Sequence, residues 1–179
     1  MEHEMQSRSE FRRRVALMPV TGEDDACLSR WLQPEKILYG AEASDMAGLF
    51  DIAAAEIARA HGLDAAPVSR ALARREQAGS TALGNGFAIP HARIAGIDEP
   101  LTLLIRLAKG IDARAPDGAA VDYFLFIMVP LDDQHAHLQL MADVAHLFWD
   151  GRFRTARDAA PDAGAMADTM KAGIARIAR

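Results

Sequence analysis

The chain has 179 residues, 20 Lys and Arg against 25 Asp and Glu for a formal net charge of -5, and is 50% hydrophobic but only 6% aromatic. At roughly 150 residues per domain, this length accommodates one domain with a short extension and excludes two full catalytic domains; the acidic balance excludes a protein that coats nucleic acid through its phosphates. The single cysteine, Cys27, closes no intramolecular disulfide and holds no metal by itself, which points to a reducing, cytoplasmic compartment.

The longest apolar stretch, Tyr123 to Leu131, is about half of the ~20 residues a bilayer requires, so no membrane insertion is expected. The polar start and the Arg12-Arg13-Arg14 run, followed only by the short, Pro-interrupted Val15 to Val20 segment, carry no readable secretion signal. Residues 1–26 are mostly charged or polar and read as a mobile N-terminal arm, with its arginine cluster a solvated surface; the domain proper is expected over 27–179.

Ser44 and Asp45 offer an N-cap to a helix in which Met46, Leu49, Phe50, Ala53 and Ile57 recur at helical spacing until Gly62 stops it. Pro67 suits the first turn of a second helix through Val68, Ala71, Leu72 and Arg75, ending before Gly79. Gly79 to Gly86 holds three glycines in eight residues, a backbone able to turn tightly and expose its N–H groups. Phe87-Ala88-Ile89-Pro90 then reads as a short strand that delivers His91.

Leu101 to Leu107 and Val121 to Pro130 are strands, the second apolar on both faces like a central strand covered on both sides. Asp132 or Asp133 caps a helix carrying His137, Leu140, Met141, Val144 and Phe148 in one stripe, with His137 in its first turn. A last helix follows Pro161-Asp162 and carries Met166, Met170, Ile174 and Ile177. The order predicts an α/β fold, a mixed β-sheet sandwiched between helices on both faces.

A lone histidine after a strand is more often structural than nucleophilic, and two features weigh the other way at His91. An ordinary imidazole pKa of about 6.5 leaves much of the ring neutral and nucleophilic near neutrality, and the upstream glycine loop offers backbone donors to phosphate oxygens. Phosphoryl transfer needs mainly positioning and charge neutralisation. Arg75 lies sixteen residues earlier at a helix end, where a planar guanidinium suits phosphate oxygens; on spacing alone a surface ion pair near Glu76 is the simpler reading.

Ser80 and Thr81 lack the elbow of a hydrolase nucleophile and read as turn formers whose hydroxyls contact phosphate. The glycine loop is followed by no Gly-Lys-Ser/Thr and opens no dinucleotide-binding helix, so nucleotide binding is disfavoured. His135 and His137 form a His-x-His pair, but no third and fourth ligand stand at fixed spacing, so neither a metal nor another cofactor is expected.

The stretch Arg75-Glu76-Gln77-Ala78-Gly79-Ser80-Thr81 through Gly84-Asn85-Gly86-Phe87-Ala88-Ile89-Pro90-His91-Ala92-Arg93 resembles the signature of phosphotransferase-system enzyme IIA domains of the fructose/mannitol type. The resemblance continues through Asp117-Gly118-Ala119-Ala120-Val121-Asp122, Val129-Pro130 and His137-Leu138, covers roughly residues 28 to 175, and looks closest to the nitrogen-regulatory branch, enzyme IIA-Ntr. It implies that His91 is the phosphorylated residue, that Arg75 is an active-site residue, and that His137 lies beside the phosphohistidine.

It further implies a cytoplasmic phosphocarrier that takes a phosphoryl group from phosphorylated HPr or a similar donor and signals to regulatory targets. The rival readings are a sugar-specific IIA subunit feeding a IIB partner, and a binding module that uses the same surface without phosphoryl transfer. With no sign of transmembrane segment or IIB module, the sequence alone transports no sugar, and neither nucleic acid nor membrane is an expected partner.

Overall fold

The computed structural model describes residues 34–132 and 135–177, with the side chains of 135–140, 142 and 177 outside the described set. The expected arm over 1–26, Cys27 and the candidate cap Asp133 therefore lie outside the described residues. The described chain forms two compact units, residues 34–132 and residues 135–177.

In the first unit, a single 3-10 turn at Pro34–Lys36 leads into strand β1 (Ile37–Ala41). Helix α1 (Met46–His61) begins where the Asp45 side chain accepts the Gly48 N–H at 2.9 Å, and ends at Gly62, which adopts the left-handed φ of 68° and returns its N–H to Ala58. Helix α2 (Ala65–Gln77) is capped by Asp64, which accepts the Ala66 N–H, with Pro67 in the first turn. Each cap satisfies a backbone donor that the helix itself leaves unpaired.

Strands β2 (Ala82–Gly84), β3 (Phe87–Ala88), β4 (His91–Ile94), β5 (Leu101–Ile111) and β6 (Val121–Pro130) complete a six-stranded sheet. Its order is β1-β5-β6-β3-β2, with β4 also on β6. β1 runs parallel to β5, β5 antiparallel to β6, and both β3 and β4 parallel to β6, so the sheet is mixed. The apolar stripes of the two helices, Leu49, Phe50 and Ile57 on α1 with Val68 and Leu72 on α2, share one core with Leu103, Ile105, Phe124 and Phe126 of the sheet. Phe50 and Phe126 meet edge to face at 6.3 Å, a pairing that adds about 1 kcal/mol to the burial itself.

Both faces of β6 are buried. Phe124, Phe126 and Met128 belong to the core shared with α1 and α2, and the alternating Tyr123, Leu125 and Ile127 are equally hidden from solvent, as the run of apolar residues predicted. On this second face Arg106 lies over the rings of Tyr39 and Tyr123, 5.2 and 5.5 Å from their centres. Burial holds the Tyr123 phenol above its ordinary pKa, and the hydrogen bond to Tyr123 raises that of Arg106.

The second unit contains α3 (His135–Trp149), α4 (Gly151–Ala159) and α5 (Ala163–Ile177). Phe148 and Phe153 pack edge to face across the α3–α4 corner at 4.8 Å. A Cβ at Gly173 would collide with Leu147 and Phe153, so this glycine lets α5 approach the other two helices. The Asp150 carboxylate caps α4 through the Arg152 N–H and pairs with Arg176 at 2.9 Å.

The α/β class, the mixed sheet and four of the five helices among the described residues follow the sequence reading. Four elements were not anticipated: β1, β2 inside the glycine segment, β4, and helix α4. α4 buries only Phe153 and Arg157, so its apolar period is almost absent. β4 was hidden by Pro90, which looks like a strand end. Yet Phe87 pairs with Tyr123 and His91 with Ile127 at one unchanged offset, and the Pro90 carbonyl accepts the Ile127 N–H at 3.0 Å. The strand line is thus continuous, and only the proline's missing N–H interrupts it. Among the described residues, no helix is long and apolar enough to cross a membrane.

Candidate functional site

The site is assembled where the last turn of α2 meets the start of β4. Arg75 donates from Nε to Nε2 of His91 at 2.9 Å, and from Nη1 to the Gly79 carbonyl at 2.9 Å. The second bond folds the guanidinium back over the helix end, so that a side chain sixteen positions away in sequence reaches the histidine. The surface ion pair considered for Arg75 is not what the structure contains.

The other ring nitrogen, Nδ1, lies 2.9 Å from the Ile89 carbonyl. A carbonyl only accepts, so Nδ1 must carry the proton; Arg75 Nε only donates, so Nε2 must present its lone pair. The two partners together assign a neutral ring in the Nδ1–H form. The reactive lone pair therefore sits on Nε2, facing a cation.

Ile89 faces β2 rather than β6: one residue beyond the Ala82–Ala88 pair, its N–H donates to the Thr81 carbonyl at 3.0 Å. Thr81 is in turn held by Glu76. The Glu76 carboxylate accepts the Thr81 N–H at 3.1 Å and the Thr81 hydroxyl at 2.7 Å, and both residues are buried. Arg114, with a left-handed φ of 51°, donates to the Glu76 carbonyl at 3.1 Å and places Nη2 3.8 Å from the carboxylate.

Ser80 donates its hydroxyl to the Ala113 carbonyl at 2.7 Å and accepts the Ala82 N–H. The hydroxyl protons of Ser80 and Thr81 are thus engaged by protein acceptors. A phosphate contact by either would first have to break one of these bonds.

The turn between β2 and β3 passes through Gly84, Asn85 and Gly86, all at positive φ. Asp117 braces it by accepting the Asn85 N–H at 2.7 Å while also accepting the Ala119 N–H. A Cβ at Gly84 would stand 2.9 Å from an Asp117 oxygen, so the glycine is needed for space as well as for conformation.

His137 is the third residue of α3, in the first turn as expected; its side chain and that of His135 lie outside the described residues. Among the described residues, no group of three His, Cys, Asp or Glu is placed to hold a metal.

Sequence reasoning brought out Arg75 and His91 and missed Glu76, Arg114 and the bracing role of Asp117. Glu76 had a signal, since it continues the buried α2 stripe of Val68 and Leu72 at a four-residue step. A carboxylate in register with an apolar stripe must find polar partners inside. Nothing local to Arg114 announces that it folds back on the helix.

The family model of the phosphoenolpyruvate-dependent sugar phosphotransferase system, EIIA 2, matches residues 30–172. A nitrogen regulatory protein of Bradyrhizobium diazoefficiens is 32% identical over 130 residues, 70% of this chain and 85% of that protein. One from Pseudomonas aeruginosa is 36% identical over 103 residues, 58% of this chain and 67% of that one. The crystal structure of the nitrogen regulatory protein IIA-Ntr from Neisseria meningitidis superposes with a TM-score of 0.74 at 29% identity, covering 79% of this chain and 97% of its own.

Proposed function

Because the chain belongs to the EIIA type-2 family of the phosphoenolpyruvate-dependent sugar phosphotransferase system, we propose that it is a phosphocarrier whose His91 accepts a phosphoryl group from a phosphohistidine donor of the HPr type. The observation that carries this reading is the pair of bonds on the two ring nitrogens, Ile89 at Nδ1 and Arg75 at Nε2. They hold the ring neutral and leave Nε2 as the nucleophile.

In the transfer, the Nε2 lone pair attacks phosphorus as the donor's phosphorus–nitrogen bond breaks, and that electron pair returns to the donor's nitrogen. Nδ1 keeps its proton on the Ile89 carbonyl and stabilises the charge that develops on the ring. Arg75 must leave the lone pair as the phosphoryl group arrives. Its Nε and Nη donors then turn to the phosphoryl oxygens, whose charge they neutralise in the transition state.

His137 is assigned an assisting role on the family resemblance. On that resemblance, a neutral imidazole in the first turn of a helix, whose positive end favours an anion, would donate one hydrogen bond to a phosphoryl oxygen without adding fixed charge.

Similarity to nitrogen regulatory proteins over more than half of the chain supports a regulatory, cytoplasmic carrier whose targets sense whether His91 is phosphorylated. The sugar-system family model also supports a second reading, a IIA subunit that hands its phosphate to a IIB partner. Incubation with phosphoenolpyruvate, the general donor enzyme and HPr should place one acid-labile, base-stable phosphate on the chain and none on a His91→Ala variant. Transfer onward to candidate IIB proteins separates the two roles.

A further inference from the structure

Consecutive residues of the last turn of α2 reach opposite nitrogens of the same ring. Arg75 touches Nε2 directly. Glu76 reaches Nδ1 through a chain of hydrogen bonds: its carboxylate takes the Thr81 N–H and hydroxyl, the Thr81 carbonyl takes the Ile89 N–H, and the Ile89 carbonyl faces His91 Nδ1. We propose that Glu76 is a positioning residue for His91, acting through Thr81 and Ile89 to fix the ring's tautomer and the direction of its nucleophilic lone pair. The inference rests on the reading of His91 as the phosphoryl acceptor.

A carboxylate with a side chain 7% exposed loses most of its hydration, which is unfavourable unless hydrogen bonds replace it. A well-packed apolar residue would continue the Val68–Leu72 stripe at no such cost. What the carboxylate supplies instead is direction. It accepts two donors from one residue, a two-point grip that fixes both the backbone and the side chain of Thr81.

Thr81 stands at the entry to β2, opposite the Ile89-Pro90 interruption. Ile89 continues the β2–β3 pairing, since its N–H donates to the Thr81 carbonyl one residue beyond the Ala82–Ala88 pair. The Thr81 N–H, which in an antiparallel pair would return to the Ile89 carbonyl, goes to Glu76 instead and leaves that carbonyl to His91 Nδ1. The links run through different peptide units, so the effect is geometric rather than an electronic relay. Arg114 steadies the assembly from outside, but its largely exposed side chain makes its ion pair a minor contributor.

Loosening the chain should leave the ring free to populate the Nε2–H form, in which the nucleophilic nitrogen is protonated. Misplacement on the scale of an ångström costs about ten- to a hundredfold in rate. The loss should fall on kcat, with the KM for the phosphorylated donor unchanged, because Glu76 and Thr81 are buried.

The test uses the full chain with Glu76→Gln, Thr81→Val and Thr81→Ser, comparing imidazole 15N spectra of the unphosphorylated proteins with transfer kinetics from phosphorylated HPr. The wild type should show a protonated Nδ1 and a bare Nε2. Thr81→Val should show mixed tautomers and a kcat lower by about tenfold or more, Thr81→Ser should restore both, and Glu76→Gln, whose amide oxygen can still accept both Thr81 donors, should fall between Thr81→Val and the wild type. A folded Thr81→Val protein with the wild-type tautomer and wild-type kcat overturns the proposal, as does a Thr81→Ser protein as impaired as Thr81→Val. The 15N measurement needs no phosphoryl transfer, so it judges the positioning role even if His91 proves not to be the acceptor.

Discussion

Arg75 Nε lies 2.9 Å from His91 Nε2 while Arg75 Nη1 lies 2.9 Å from the Gly79 carbonyl. One guanidinium thus caps the nucleophilic lone pair and is itself held by the helix end. Arg75→Ala should keep the fold and lower the single-turnover transfer rate by about a hundredfold, the usual scale for losing a transition-state donor. Arg75→Lys should recover little, because a single ammonium cannot reproduce the fork. Rapid-quench kinetics would show an unchanged rate if Arg75 were only a surface residue.

Gly84 stands at φ 92° with Asp117 where its side chain would be. Gly84→Ala should cost about 1–2 kcal/mol from the left-handed conformation alone, and more because Asp117 must give up its bond to the Asn85 N–H. Asp117→Asn, which keeps a side-chain oxygen, should cost less. Urea denaturation of the two variants checks the order, and equal midpoints would remove Asp117 as the brace.

His137 occupies the first turn of α3. His137→Ala should still take up phosphate on His91, slowly, with little change in melting temperature. His137→Gln, which keeps an amide donor, should regain part of the rate if hydrogen bonding is the role. Wild-type kinetics in His137→Ala, or phosphate mapped to His137 itself, would contradict this.

Asp150 combines a helix cap with an ion pair. The hydrogen bond from Arg176, and then the Arg152 N–H, hold its carboxyl below the ordinary value. A depressed folded pKa means that its contribution is fully present above the unfolded value of about 3.9 and is lost as pH falls through the folded value. Asp150→Asn keeps the cap and loses the charge, so its stability gap from wild type should be a fraction of a kcal/mol at about pH 7 and shrink toward zero as pH falls through the folded value. Asp150→Ala should lose about 1 kcal/mol more through the cap. A gap that widens on acidification would reverse the sign of the assignment.

The legible parts of this fold were those with strong periodicity or punctuation. The Leu49-Phe50-Ala53-Ile57 stripe between Asp45 and Gly62 fixed α1, and the unbroken apolar run of β6 marked a strand buried on both faces. The elements that escaped lack those signals. α4 buries two side chains, one of them Arg157, and β4 resumes after a proline that reads as an ending.

At the site, the spacing of Arg75 and His91 allowed a contact and the family resemblance favoured it. The identity of its partners was not legible. That Ile89 offers its carbonyl to Nδ1, and that Glu76 grips Thr81, depend on a strand interruption and a buried carboxylate, neither of which local sequence displays.

The central claim concerns one atom, Nε2 of His91. The most direct measurement is 15N and 31P spectroscopy of the labelled chain after donor-dependent phosphorylation, with mass-spectrometric mapping of the modified peptide. The hydrogen bond of Nδ1–H to Ile89 predicts a single phosphoryl group on Nε2 of His91, with Nδ1 still protonated. Phosphate on Nδ1, on any other residue, or retained by His91→Ala would contradict the account.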